Sequence, residues 1–187
     1  MKLTNPIRDR EVLIQELVKQ NQTALADAYT LKLQTQLQQV YQAPPLQTMG
    51  EQLAVLPDYW AKKLSAEESK HLARHIRKEW HSKRQKLLKS IQQATPDKHR
   101  LRVLIKELRY NSESYAAILP KKARADTARL KQLQEILGSW HDTWVWLELA
   151  KTIPELEILT PIWQQDLVKQ NHATDRALVK LKHEWTR

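Results

Sequence analysis

Residues 97–110 read Asp97-Lys98-His99-Arg100-Leu101-Arg102-Val103-Leu104-Ile105-Lys106-Glu107-Leu108-Arg109-Tyr110. Leu101, Leu104, Ile105 and Leu108 recur at the three-four spacing of one helical face, with Leu119 further along, and no period-two alternation competes with it. Asp97, after Thr95-Pro96, supplies a short carboxylate to cap the first free amides. The spacing predicts a helix from about Asp97 to Leu119, ended by Pro120. Beside the apolar stripe, His99, Arg102, Lys106 and Arg109 stand at offsets 0, 3, 7 and 10, an arc of about 80° at 100° per residue. Tyr110 and Glu113 border that arc, and Arg100 points away from it.

The segment before repeats the pattern. Arg74, Arg77, His81 and Arg84 have the same offsets and the same arc of about 80°. Leu72, Ile76, Trp80 and Leu87 lie next to them as the expected buried stripe. Like charges at these spacings repel by a few tenths of a kcal/mol per pair. Glu79 and Glu107 lie off the two arcs, so the relief comes from elsewhere. A bound anion of many charges supplies it; so does internal pairing with Glu113, Glu135 and Asp142. Arginine's planar fork bonds one phosphate twice and stays charged in any site. Tyr110 is the one aromatic interleaved with the arcs, so base stacking has little support and a phosphate chain without bases fits better. The two helices join through about three residues at Thr95-Pro96-Asp97, which predicts antiparallel packing. The rotation is left open by the spacing. A common rim is expected, because one anion then relieves both arcs.

The rest of the chain is punctuated by proline. Asn5-Pro6 reads as a cap and first helical position, opening a helix to about Gln20. A second is expected from Thr23 to Tyr41, with Leu25, Leu31, Leu33, Leu37 and Val40 apolar. Ala43-Pro44-Pro45 breaks it, and a less regular stretch follows to about Lys63. Ser65-Ala66-Glu67-Glu68 has the form of a capping box and opens the His81 helix, to about Gln93. Further helices are expected over Lys121–Leu137, with Gly138 at the C-terminal end, over His141–Thr152, and over Pro161–Trp185. The fold class is all-α: one domain of antiparallel helical bundles over 1–187, its halves being about 1–94 and 95–187.

Composition narrows the function. The 187 residues include 2 Gly, no Cys and no Phe, and carry a net charge of +10. Between Lys62 and Lys131 there are 20 Lys/Arg against 7 Asp/Glu; the remainder holds 11 against 14. All of the excess therefore sits in one segment, and a field so concentrated gathers anionic partners. Lack of cysteine excludes disulfides and thiolate chemistry. No window is apolar enough for a membrane span, and residues 1–14 lack the core of a signal peptide, so a cytoplasmic protein is expected. Two glycines, Gly50 and Gly138, exclude a phosphate-cradling glycine-rich loop. No serine elbow and no carboxylate cluster for metal-assisted hydrolysis stands out. His71 and His75 have the i, i+4 spacing that holds zinc on a helix, but no third ligand accompanies them. No cofactor or metal is expected, and a binding module is expected rather than an enzyme. Among Trp140, Trp144 and Trp146, two are expected in the core and one of the first two at the surface, which suggests an oligomer or partner face.

The stretch His99 to Tyr110, with Glu113 after it, closely resembles the central signature of the CHAD family, the conserved histidine α-helical domain: His-x-Leu-Arg-Val/Ile, a basic pair, then Leu-Arg-Tyr. A second match follows in order, Leu130-Lys131-x-Leu133-Gln134-x-x-Leu137-Gly138-x-x-His141-Asp142. The resemblance implies two bundle-like halves related by a pseudo-twofold, a basic groove or pore for inorganic polyphosphate, and association with polyphosphate granules. It implies that His99, Arg102, Lys106, Arg109, Lys131 and His141 face the ligand, with Asp142 and Glu113 as orienting partners. Glu107 departs from the family's second basic residue. The N-terminal half's own His-x-x-Arg-Val motif is not found, and Ile7-Arg8-Asp9-Arg10-Glu11-Val12-Leu13 looks like the end of that half's second motif. The first hairpin is expected to be lacking, which fits a shortened member, a fragment, or a subunit completed by another chain. Two functions remain: a polyphosphate-binding module, and a nucleic-acid-binding or scaffold protein using the same basic field.

Overall fold

The computed structural model describes residues 5–63 and 65–186. Among them are seven α-helices, a short 3-10 helix and no strand. The chain forms two compact units, meeting at Ser65/Ala66 rather than near residue 94. The His81 helix therefore belongs with the helices that follow it.

The first unit holds α1 (Asn5–Lys19), α2 (Thr23–Tyr41) and α3 (Pro44–Lys63). Asn21 turns the chain between α1 and α2 in the left-handed region, at φ 58°, which asparagine tolerates better than most residues. Leu13, Leu17, Ala26 and Tyr29 are buried, whereas Leu31 of the expected apolar set is exposed. The stretch expected to be irregular is helical. Pro44 and Pro45 stand in the first turn, where a missing amide hydrogen costs no helical bond. Every described side chain of α3 is exposed, including Met49, Leu53, Leu56 and Trp60.

The second unit is a closed antiparallel four-helix bundle of α4 (Ala66–Ile91), α5 (Lys98–Ser114), α6 (Lys121–Ala150) and α7 (Thr160–Thr186), with the 3-10 helix Pro154–Leu159 before α7. Each helix packs on two neighbours, in the cycle α4, α5, α6, α7 and back to α4. Cross-helix pairs fix the directions. Trp80 Nε1 donates to Ser112 Oγ at 2.8 Å and Lys83 meets Glu107 at 2.7 Å, so α4 and α5 are antiparallel. Arg129 meets Glu184 at 2.7 Å and Trp146 packs on Trp163, so α6 and α7 are too. The core holds Trp80, Leu87, Leu101, Ile105, Leu108, Leu119, Leu130, Leu137 and Trp185. Leu72 is exposed, unlike the rest of its expected stripe. Asp97 caps α5 as expected, accepting the Arg100 amide at 3.1 Å.

Gly138 does not end a helix. α6 runs through it from Lys121 to Ala150, joining the two helices expected there. Its buried face changes on the way. Ala123, Leu130, Leu133 and Leu137 are buried in its first half; Asp142, Thr143 and Trp146 in its second. The two sets lie on nearly opposite sides of the helix. The change comes where α5 begins, since His99 stands across from His141.

Candidate polyanion site

The site is built where α5 and α6 run side by side. Their antiparallel register is fixed at both ends: the His99 and His141 rings lie 5.6 Å apart, and Arg109 Nε donates to Gln134 Oε1 at 2.7 Å. Along this register the basic arc of α5 faces Gln134, Gly138 and His141, and Lys131 stands one turn beyond Gln134 on the same face of α6. These four α6 residues have offsets 0, 3, 7 and 10, the spacing of the two basic arcs, and the same span of about 80°. Gln134 and Gly138 were absent from the sequence-based set because neither is charged; the repeated spacing was the signal that points to them. Gly138 stands across from Arg102 by this register. A Cβ built on it meets nothing within 4 Å, so the cleft is open at its middle.

The cations differ in how far the protein neutralises them. Arg109 is the most engaged, with Glu113 Oε1 at 2.6 Å, Gln134 beyond it, and the Tyr110 ring 4.3 Å from the guanidinium. Glu113 and Arg109 thus pair across one helical turn. Lys106 lies 5.8 Å from the same ring. Arg102 and Lys131 have no hydrogen-bonding or ionic partner among the described residues; Arg102 is half-buried and Lys131 exposed. The row therefore holds unneutralised charge at Arg102, Lys106 and Lys131, with an imidazole pair at one end. Asp142 is buried beside His141 along α6.

The α4 arc does not join this row. Lys83 and Glu107, which link α4 to α5, each lie about 120–140° round their helix from its basic arc. The arcs consequently occupy opposite flanks of the α4–α5 pair, which corrects the expectation of a common rim. Arg84 is turned inward. It meets buried Asp126 at 3.5 Å and covers the Trp185 ring at 4.2 Å, with its side chain 15% exposed. That environment neutralises it internally and removes it from the candidate ligands. Arg77 Nε donates to the Ile118 carbonyl at 2.9 Å, tying α4 to the connection that leads into α6. Arg74 and His81 remain exposed, and Arg74 shares a shallow hollow with His71, His75 and Lys78. Among the described residues no three His, Cys, Asp or Glu side chains converge as metal ligands. No described helix is long and apolar enough to cross a membrane.

No curated protein and no solved structure matches the chain. The model of the CHAD domain family matches residues 1–151, which takes in all of α5 and of α6 and with them both sides of the cleft. The chain belongs to the CHAD domain family.

Proposed function

We propose that the chain binds inorganic polyphosphate along the α5–α6 cleft, as a binding module rather than an enzyme. The observation that carries this reading is the row of Arg102, Lys106 and Lys131, left without carboxylate partners among the described residues beside an open Gly138. A protein at net charge +10 does not gain stability from leaving clustered cations unpaired. A linear polyanion laid along the row supplies the missing counter-charge, one phosphate group per helical turn or so. Membership of the CHAD domain family supports the choice of polyphosphate over other polyanions. Targeting to polyphosphate granules is the cellular role this binding serves.

Nucleic acid is the competing partner, and competition separates the two. Long polyphosphate should displace a labelled polyphosphate probe at lower concentration than single-stranded DNA of equal charge. Equal displacement would mean that the cleft offers only a basic field. Each unpaired arginine or lysine that lies on a phosphate is worth about 1–3 kcal/mol as a charge-assisted hydrogen bond. Charge reversal at Arg102 and Lys106 together should therefore abolish binding at micromolar protein.

A further inference from the structure

The His141 end of the cleft has chemistry that a bare phosphate chain does not use. Trp144 follows His141 by one helical turn, and its ring lies nearly parallel to the imidazole, at 21° and 6.1 Å between centroids. His141 in turn leans on His99, the first member of the α5 basic arc. The row of cations thus runs into a row of rings. Trp144 is 44% exposed, although it stands on the side of α6 that is buried in the first half of the helix. It is bare because α5 begins at Lys98 and does not cover α6 beyond His141. Lys98 is held by Asn171 at 2.5 Å and Asp175 at 3.3 Å and lies over the Trp140 ring, whereas Trp144 lines an open hollow with Thr160, Gln164 and Leu167 on the α7 side. Arg102, across from Gly138, is about 9 Å from Trp144 along the helix axis. A ribose and a phosphate or two bridge that distance.

We propose that the exposed Trp144 ring stacks a purine base, so that the cleft takes a purine nucleoside triphosphate with its phosphates on Arg102 and Lys106. This rests on the reading of the α5–α6 row as a phosphate site and adds a base subsite at its end. Stacking of a base on an aromatic side chain strengthens binding about 5- to 150-fold by alanine substitution. Inorganic tripolyphosphate has nearly the charge of ATP and no base, which makes it the matched reference.

The test is calorimetric titration of the full chain with ATP and with tripolyphosphate, at one salt concentration and without divalent metal. ATP should bind at least about fivefold more tightly. Trp144→Ala should erase that difference and leave tripolyphosphate unchanged, and Trp144→Phe should keep most of it. Equal or weaker binding of ATP overturns the base subsite, as does a preference that survives Trp144→Ala in a chain of unchanged helicity. Such a result leaves the phosphate row standing. If tripolyphosphate and long polyphosphate both fail to bind, the phosphate row falls, and the base subsite falls with it.

Discussion

Arg100, Arg102 and Arg84 are three arginines of one short stretch of bundle with three different fates. Arg102 is half-buried beside the cleft without a hydrogen-bonding or ionic partner among the described residues; Arg100 is exposed on another side of α5; Arg84 is packed between Asp126 and Trp185. Their substitutions should separate accordingly. Arg102→Ala should weaken polyphosphate binding by about 1–3 kcal/mol, and Arg100→Ala by far less; a titration of both variants that gave equal losses would remove the cleft as the site. Arg84→Ala should leave affinity near its starting value and instead lower stability by about 1–3 kcal/mol, because buried Asp126 then keeps only the half-exposed Arg129, at 3.5 Å, as its ion partner. Urea denaturation reads that loss, and Arg84→Ala with Asp126→Leu should recover most of it, since an apolar residue needs no counter-charge.

At the scale of the element, Gly138 is the informative position. Glycine inside a helix is less favourable than alanine by about 0.5–1 kcal/mol, and here a Cβ has room. Gly138→Ala should therefore raise the unfolding free energy by about that amount in urea denaturation without loss of polyphosphate affinity. Gly138→Glu should leave the helix intact and weaken binding severalfold, because it sets a carboxylate across from Arg102; polyphosphate titration checks it. The helix ends that were legible follow from local chemistry: Asp97 takes the Arg100 amide, and α2 ends at Tyr41, three residues before the pair Pro44-Pro45. The elements misread were those where local signals conflict with helix. The stretch after Pro45 reads as irregular, yet it forms α3, which runs through Pro57 to Lys63. Gly138 suggests an end, yet packing of α6 against both α5 and α7 carries the helix through.

For the whole molecule, concentrated charge makes ion release the expected driving term. Log affinity for long polyphosphate should fall linearly with log salt, as it does for proteins on nucleic acid. Arg102→Ala should reduce the magnitude of that slope by about 1. Binding measured from low to moderate salt checks both, and a flat response would exclude a site made of Arg102, Lys106 and Lys131. Division of the chain at Ser65 places every residue of the cleft in the second unit.

The sequence by itself determined that the chain is helical, where α5 begins, which residues of α5 share a face, and that the charge is concentrated, because each of these depends on neighbours within one or two turns. It also held the resemblance that the match over residues 1–151 bears out. Tertiary structure alone decided which flank of α4 meets α5. Periodicity fixes an angle about a helix axis and says nothing of how that helix is rotated against its neighbour. Packing of Trp80 and Leu87 with Leu101, Ile105 and Leu108 sets the rotation, the Lys83–Glu107 contact marks it, and with it come apart two arcs that read alike in sequence. It decided as well that Arg84 is spent on Asp126, forty-two residues later in the chain, and that α5 starts one turn short of Trp144. Contacts of that range depend on where whole helices lie, and no local pattern of residues encodes them.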